Sequence, residues 1–320
     1  MQVSSEMTRL MEISVEQIDR NPENPRLVFR SPELEDLLES IRRYGVQVPI
    51  SVYKSPKRFV LIDGERRWRC CLKLNKKTIP ALVQEKPDPL TNLLLMFNIH
   101  ALREQWDLLT IALKLPRVID LLEKKLGKRP NERELAEETG LSRGLFRRCK
   151  LLMDLPQRYR DELLKELNKP KPEQLLTEDL FIEMERSLKT VQRSLPSVID
   201  DKDRVRQVLL AKYQQKVIRN ITDFRNMAKI ARAERVSADT AKASTVLRRL
   251  FEPNEYSIES AYRDSVGEAY TERDLLTRIK GLLEQLEDLT PTQLDEDMVE
   301  LLRELMRRVD GLLRASHHEL

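Results

Sequence analysis

A junction at residues 59–69 carries side chains suited to phosphate chemistry. It reads Phe-Val-Leu-Ile-Asp-Gly-Glu-Arg-Arg-Trp-Arg, so an apolar strand ends at Gly64 and a helix begins at Glu65 with three arginines. Glycine permits close approach of the backbone, helix N–H groups attract anions, and guanidinium groups bind phosphate oxygens in pairs. The junction predicts a phosphate cradle, with an amphipathic helix carrying solvated arginines as the alternative. The side chains predicted to face the core are Trp68, Cys71 and Leu72.

Residues 127–156 predict a helix-turn-helix. Asn131 caps a short helix, Gly140 makes the turn and Ser142 caps a second helix. Residues 124–150 hold 9 basic and 4 acidic residues, which suits a phosphate backbone; a helical corner in an all-α bundle is the alternative. The side chains predicted to face inward are Leu135, Ala136, Leu141, Leu145, Cys149 and Leu152. The residues predicted to contact DNA are Lys128, Arg129, Ser142, Arg143, Gly144, Arg147, Arg148 and Lys150.

Charge is divided unevenly along the 320 residues. The net charge of +4 combines 8 basic and 17 acidic residues in 252–320 with 49 basic and 36 acidic residues before them. A basic body predicts a polyanionic partner for that part alone. Within the body, residues 201–250 hold 13 basic and 5 acidic residues, which indicates either a solvated helix face or a second DNA contact.

Two leucine-rich helices are predicted near the end of the chain. Apolar residues from Leu275 to Leu289 and from Met298 to Leu312 step by 4, 3, 4 and 3, and a loop containing Pro291 separates them. This spacing predicts an antiparallel helical hairpin with one heptad seam per helix. The seam indicates self-association, with packing against the rest of the chain as the alternative.

Composition excludes several classes of protein. Only 8 glycines and 5% aromatic residues argue against a β-sandwich or barrel, and no apolar run approaches the roughly 18 residues of a membrane span. The three cysteines (Cys70, Cys71, Cys149) are too few for a disulfide framework or a zinc site, and the three histidines are badly placed for a catalytic relay. A cytoplasmic protein is expected.

The sequence pattern around these residues predicts a mainly α fold with a small α+β N-terminal domain. Strand and helix patterns alternate up to Gln84, and prolines at 87 and 89 close that unit, after which the pattern is helical. The predicted divisions are an α+β domain at 1–88, a helical domain at 89–160 with the helix-turn-helix at 131–152, a basic helical extension at 161–251, a linker at 252–270 and an acidic helical hairpin at 271–320.

Several motifs, in this order, resemble the ParB family of DNA-partitioning proteins. The segment Asn-Pro-Glu-Asn-Pro-Arg at 21–26 resembles the first box of that family, and Gly-Val-Gln-Val-Pro-Ile at 45–50 resembles its second box, with Val48 in place of Gln. Gly-Glu-Arg-Arg-Trp-Arg at 64–69 matches the most distinctive box, and Asn98-Ile99 resembles a further one. The resemblance covers roughly residues 10–160.

The resemblance implies a ParB/sulfiredoxin-like N-terminal domain that binds CTP, or another nucleoside triphosphate, with Mg²⁺ held by Asn98. It implies a dimeric clamp on double-stranded DNA, associated with the bacterial nucleoid or a plasmid and acting in plasmid, phage or chromosome partition. It also implies a Walker-type ParA-like ATPase as partner, although this N-terminus has no long basic tail. The nucleotide-binding residues it implies are Arg26, Gly45, Val48, Pro49, Ile50, Gly64, Glu65, Arg66, Arg67 and Arg69.

One departure from the family pattern concerns turnover. Phe97 stands where the family has a Glu before Asn98, and a phenyl ring neither accepts a proton nor binds Mg²⁺. Two possibilities stay open. Either Glu104 supplies the missing carboxylate and CTP or another nucleoside triphosphate is hydrolysed slowly, or no hydrolysis occurs. Three alternatives to partition stay open as well: transcriptional regulation or anti-silencing, an enzyme of the same fold (a nuclease or small-molecule kinase), and an adaptor acting through 252–320.

Overall fold

A five-stranded mixed sheet forms the N-terminal part of the protein. The computed structural model describes residues 8–24, 31–100, 107–290 and 294–316. The strands are β1 (Arg9–Ser14), β2 (Ile18–Asp19), β3 (Ile50–Lys54), β4 (Phe59–Asp63) and β5 (Thr78–Gln84). Their order across the sheet is β1-β5-β3-β4-β2, with β3 parallel to β5 and antiparallel to β4. The predicted α+β character of this part is confirmed.

Two helices cover one face of the sheet and close its core. Helices α1 (Ser31–Tyr44) and α2 (Glu65–Lys73) pack on each other. Alternate residues of β3 and β5 face them, because side chains of a strand point to opposite faces in turn. Val52 and Ile79 of the sheet, Ile41 of α1 and Cys71 of α2 are fully buried in this core. The end of β4 and the start of α2 are thereby fixed side by side.

The rest of the described chain is helical. Its helices are α3 (Pro89–His100), α4 (Leu108–Leu126), α5 (Glu132–Thr139), α6 (Arg143–Met153), α7 (Gln157–Leu167), α8 (Glu178–Ser194), α9 (Lys202–Gln214), α10 (Phe224–Ile230), α11 (Thr240–Leu250), α12 (Ile258–Ser265), α13 (Gly267–Glu287) and α14 (Glu296–Ser316). One apolar core runs from Leu90 to Val266 without a break at the predicted division between residues 160 and 161. Within the described residues, no helix combines the length and apolarity needed to cross a bilayer.

The predicted linker at 252–270 is wrong over much of its length, because a packed helix lies within it. Helix α12 contacts α10 and α11, and its side chains Ile258 and Ala261 are fully buried. The segment that precedes α12 is held by Lys212. Its buried ammonium donates to Leu250 O, Tyr256 O and Asn254 Oδ1 at 2.8, 2.8 and 3.0 Å. The polar composition of this segment concealed the few apolar residues that anchor it.

Three details of the fold concern the ends and faces of these elements. Strand β1 ends at Ser14, where a short 3₁₀ turn, Val15–Gln17, buries Val15 before β2 begins. Helix α3 begins at Pro89, because Asp88 accepts hydrogen bonds from the N–H groups of its first turn. Leu72 was expected in the core but is 41% exposed, since α2 turns it away from the sheet.

The two C-terminal helices α13 and α14 present their apolar residues to solvent. Their described parts contain no buried side chain, and the predicted seam residues Leu282 and Leu305 are 38% and 37% exposed. The start of α13 is anchored, because Val266 is buried and the Lys229 ammonium lies 5.1 Å from the Tyr262 ring and 5.7 Å from the Tyr270 ring. The predicted helices are present; the loop proline Pro291 lies outside the described residues.

Candidate functional site

The residues of the predicted phosphate cradle lie where β4 ends and α2 begins. Gly64 has a φ of +95°, and a Cβ atom there would lie 2.5 Å from Ile50 Cγ2, so only glycine fits this junction. Gly64, the N-cap residue of α2, has no side chain that could cap the helix. The backbone N–H groups of the first turn of α2 are therefore of the kind that bind anions at a helix N-terminus.

Arg67 holds that loop in place. Its Nη1 atom donates to the carbonyl oxygens of Val48 and Pro49 at 2.5 and 2.6 Å, and its Nη2 atom lies 2.8 Å from Asp63 Oδ2. Only 18% of the Arg67 side chain is exposed. In this arrangement, Arg67 shapes the cradle by fixing loop carbonyls, whereas the sequence prediction placed it on the phosphates.

Glu65 forms the centre of a buried polar cluster behind the cradle. Its side chain is almost completely buried and pairs with Arg20 Nε at 2.8 Å and with Arg69 Nη2 at 2.7 Å. Asn24 Nδ2 donates to its second oxygen at 2.6 Å. Of the predicted nucleotide-binding residues, Glu65 and Arg69 thus neutralise each other beneath the helix start.

The remaining predicted nucleotide residues differ in exposure, and Ile50 is fully buried in the core of the sheet. Val48 is 63% exposed at the rim of the loop, Gly45 begins the loop with a φ of +74°, and Arg66 is half-buried. Pro49 contributes the carbonyl that Arg67 binds. Arg26 lies outside the described residues.

Phe97 does not face the cradle. Its side chain is fully buried in the helical core, together with Leu93 and Met96 of the same helix. The phenyl ring is explained by that environment, because a carboxylate there would be buried in an apolar core. Asn98 lies in α3, but its side chain falls outside the described residues, as does Glu104. Among the described residues, no group of three or more His, Cys, Asp or Glu side chains is placed to hold a metal ion.

The helix-turn-helix has the predicted caps. Asn131 Oδ1 accepts from Arg133 N and Glu134 N at 2.9 and 3.0 Å, and Glu134 Oε2 accepts from Asn131 N at 2.8 Å, which completes a capping box. Gly140 turns the chain with a φ of +73°, and Ser142 Oγ accepts from Leu145 N at 3.1 Å. The second helix of the motif, α6, therefore begins where the sequence predicted.

The outward face of α6 is basic. Phe146, Cys149 and Leu152 are buried on its inner side, whereas Leu145 and Ala136 are only half-buried. Phe146 was missed as a core residue because its neighbour Leu145 fits the same helical spacing. The predicted DNA-contacting residues that the structure leaves exposed are Lys128, Arg129, Ser142, Arg143, Gly144, Arg147 and Lys150.

Two arginines of α6 differ in their surroundings. Arg147 has 67% of its side chain exposed and lies 3.1 Å from Glu132 on α5. Arg148 is half-buried and pairs with Asp179 at the start of α8. An exposed ion pair is worth about 0–1 kcal/mol, so a DNA phosphate or base can replace Glu132 at little cost. Arg148 instead links α6 to α8.

Helix α4, on which α6 packs, is capped from a distance by Glu178. The backbone N–H of Leu109 donates to Glu178 Oε1 at 2.6 Å. Burial, with Asp107 and Asp179 nearby, raises the pKa of Glu178 to about 7. Sequence reasoning missed this residue, because nothing in the pattern around α8 indicated a contact with a helix that begins 70 residues earlier.

Comparison with known protein families identifies the N-terminal domain. A model of the ParB N-terminal domain matches residues 1–98, the sheet, α1, α2 and α3. These residues belong to the ParB N-terminal domain family. The cradle between β4 and α2 is therefore part of a ParB N-terminal domain, and the helix-turn-helix follows that domain along the chain.

Named relatives cover different shares of the chain. The chromosome-partitioning protein ParB of Caulobacter vibrioides is 44% identical over 80 residues, which are 24% of this chain and about a quarter (26%) of that protein. The nucleoid occlusion protein of Listeria innocua is 25% identical over 248 residues, which cover 77% of this chain and 84% of that protein.

Two crystal structures of C-terminally truncated ParB from Caulobacter crescentus are also similar. The complex with CTP-gamma-S is 30% identical, covering 51% of this chain and 94% of that one, with a TM-score of 0.29. The complex with the centromeric parS site is 24% identical, covering 69% of this chain and 98% of that one, with a TM-score of 0.42.

Proposed function

We propose that this protein binds a specific DNA site through its helix-turn-helix, binds a nucleoside triphosphate in its ParB N-terminal domain, and acts in DNA partition or nucleoid occlusion. The observation that carries the proposal is the presence in one chain of a capped, basic recognition helix and of a cradle that only glycine permits. Chromosome partition and nucleoid occlusion are the roles named for its relatives.

The DNA half of the proposal rests on α6. Its exposed arginines have the fork that reads guanine in the major groove, and the caps on α5 and α6 fix their direction. Selection from randomised duplexes with the full-length protein should recover a palindromic site. Recovery of sequences with no shared motif would contradict site-specific binding.

The nucleotide half rests on the glycine at the start of α2 and on the loop that Arg67 holds through hydrogen bonds. We expect CTP to bind, since a relative was crystallised with CTP-gamma-S. Isothermal titration with CTP, ATP, GTP and UTP, each with Mg²⁺, tests this. Arg66→Ala should abolish binding, whereas Lys57→Ala, on the turn at the opposite end of β4, should leave it unchanged.

Metal binding and turnover are a separate part of the proposal. Mg²⁺ would be held by the triphosphate and Asn98, and it would neutralise phosphate charge there. With Phe97 in the apolar core, no carboxylate is supplied from that position, so we propose slow turnover or none. Phosphate release in the presence of DNA and Mg²⁺ measures this; rapid multiple turnover would contradict it.

Self-association is proposed for α13 and α14, and it would give a homodimer on a palindromic site. Their exposed leucines have the heptad spacing of a coiled-coil seam. Replacing Leu282 and Leu305 together by Glu should halve the mass measured by light scattering. An unchanged mass would place the dimer contact elsewhere.

A Walker-type ParA-like ATPase is the partner proposed for partition. Stimulation of such an ATPase, taken from the same genome, by the purified protein and its DNA site would support that role. Repression of a promoter by the protein, without an effect on DNA segregation, would favour transcriptional regulation instead.

A further inference from the structure

No linker separates the helical body from the C-terminal helix α13. Helix α12 ends at Ser265 and α13 begins at Gly267, so Val266 alone joins them. Val266 is fully buried; its N–H donates to Tyr262 O and its carbonyl oxygen accepts from Tyr270 N, each at 3.0 Å. The chain therefore passes from one helix into the next through a residue that both helices hold.

A lysine of α10 contacts both tyrosines of this joint. Lys229 Nζ lies 5.1 Å from the centre of the Tyr262 ring and 5.7 Å from that of the Tyr270 ring, and the two ring centres are 6.1 Å apart. An ammonium group near the face of an aromatic ring is attracted by the ring's electrons. Further along α13, Arg273 Nη1 donates to Arg235 O at 3.2 Å. The first turns of α13 thus contact α10, α12 and the short turn at residues 233–236.

Helix α13 continues from this joint into the leucine seam through which self-association is proposed. Leu275, the first apolar residue of that seam, lies eight residues beyond Gly267, a length of about 12 Å in a helix. The helix runs to Glu287 without a proline, the usual cause of a sharp kink. The helix itself therefore fixes the position of the seam relative to the joint.

The recognition helix belongs to the body that holds this joint. Phe146 and Cys149 of α6 lie in the same core as Val266. Helix α8 packs against both α6 and α10, and α10 packs against α12. A continuous series of packed helices therefore leads from α6 to the start of α13. In a dimer formed through the seams, the protein sets the distance and angle between its two recognition helices.

That distance matters because the two halves of a palindromic site follow the turns of the double helix. A dimer that holds its recognition helices rigidly fits one spacing of the half-sites. DNA-binding domains joined by a flexible linker fit several spacings, since the linker adjusts its end-to-end distance. The buried joint at Val266 favours the first behaviour.

We propose that the joint between α12 and α13 makes this protein selective for the spacing between the two halves of its DNA site, with Lys229 and Tyr270 as the side chains that determine the selectivity. The inference rests on the proposed function, because it requires a dimer formed through α13 and α14 and a palindromic site.

The test compares two duplexes with the full-length protein by fluorescence anisotropy at fixed salt. One duplex carries the selected palindrome; the other carries five additional base pairs at its centre, which turn one half-site by about half a helical turn. The measured quantity is the ratio of the two dissociation constants. The unmodified protein should bind the lengthened duplex at least about ten-fold more weakly, close to its affinity for a single half-site.

A flexible joint should remove this discrimination. A segment of about ten Gly and Ser residues, inserted between Val266 and Gly267, reaches roughly 17 Å and should lower the ratio to about three or less. The same segment added after Leu320 is the matched control and should keep the ratio of the unmodified protein.

Point substitutions test the two side chains without lengthening the chain. Lys229→Met and Tyr270→Leu should each lower the ratio by about two-fold or more, whereas Lys229→Arg and Tyr270→Phe should keep it, because they preserve the cation and the ring. A direct contact of Lys229 with DNA would weaken both duplexes equally and leave the ratio unchanged. Lys165→Met, at an exposed lysine of α7, is the control and should have no effect on the ratio.

The outcomes separate this inference from the proposed function. Equal affinity of the unmodified protein for both duplexes would overturn the inference and leave the proposed function intact. An unchanged ratio in the variant with the inserted segment would also overturn it, and circular dichroism shows whether that variant is folded. If it is not folded, an unchanged ratio in Lys229→Met and Tyr270→Leu overturns the inference instead. A monomeric mass in light scattering, or no preference for the selected duplex, would refute the proposed function itself.

Discussion

Arg67 in the cradle has 18% of its side chain exposed and donates to two backbone carbonyls, whereas Arg147 on α6 has 67% exposed and bonds to the carboxylate of Glu132. Arg67 fixes the position of the loop at residues 45–50 through these hydrogen bonds. Arg147 is available to a ligand, because an exposed ion pair exchanges its partner at little cost. Substitution of Arg67 should therefore lower stability and binding together, whereas substitution of Arg147 should lower binding alone.

The largest effect is expected for Gly64→Ala. A left-handed backbone costs a non-glycine residue about 1–2 kcal/mol, and the clash with Ile50 adds overpacking strain of about 1–3 kcal/mol. The free energy of unfolding should fall by about 2–5 kcal/mol in urea titrations, and CTP binding should be lost. Gly127→Ala is the control, because Gly127 also has positive φ but no atom within 4 Å of its added Cβ; it should lose about 1–2 kcal/mol. Equal losses in both variants would exclude the Ile50 contact as a cause.

A second experiment separates Arg67 from Arg66. Arg67→Lys keeps the charge but cannot donate to two carbonyls and Asp63 at once, so it should cost about 1–3 kcal/mol of stability and weaken CTP binding. Arg66→Ala should abolish CTP binding with a stability change below about 1 kcal/mol. If Arg67→Lys keeps full stability, the loop at 45–50 is held by other contacts.

On α6, Arg147→Ala should weaken binding of the selected duplex by about 1–3 kcal/mol if the side chain reads a guanine edge. Its stability should change by less than about 0.5 kcal/mol, because the Glu132 pair is exposed. Arg278→Ala on α13 removes a similar exposed ion pair, with Asp274, and should leave affinity unchanged in anisotropy titrations at fixed salt. An unaltered affinity for Arg147→Ala would remove this residue from the DNA interface.

A pH-dependent effect on stability is expected from Glu178, whose carboxylate accepts a hydrogen bond at the start of α4. Burial raises its pKa from 4.5 to about 7 in the folded protein, so the folded state holds the proton more tightly than the unfolded state. Its contribution to stability is therefore complete below pH 4.5 and is lost as the pH rises through about 7, by about 1–3 kcal/mol. Glu178→Gln should flatten this part of the pH profile. Glu123→Gln, an exposed residue on α4, should reproduce the unmodified profile; the same slope in Glu178→Gln would assign it to another group.

The difference between local and distant contacts explains which parts of the structure could be predicted from the sequence. Capping residues act on their own helix, so Asn131, Gly140 and Ser142 were sufficient to predict the helix-turn-helix. Gly64 likewise marked the start of α2, since its role depends on adjacent residues. Local chemistry of this kind is encoded within a few positions.

Contacts between distant segments could not be predicted in the same way. The sequence showed that Arg67 is an arginine at a helix start, but the carbonyls of Val48 and Pro49 are its partners only in the folded chain. The sequence showed that position 97 has a phenylalanine and no carboxylate. It could not show that this side chain is buried, because that depends on which side of α3 packs against the helical core. Helix α12 was missed because a few buried apolar residues outweigh a polar composition.

The Lys212 contacts and α12 also determine where a protease can cut. A protease cleaves backbone that opens locally, and α13 and α14 have no buried side chain in their described parts to resist opening. Residues 250–266 are held by the Lys212 ammonium and by the buried Ile258, Ala261 and Val266. Limited trypsin digestion should therefore leave a fragment that ends within α13, beyond Val266. A shortened chain for crystallisation should keep α12 whole, although its composition suggests a dispensable linker.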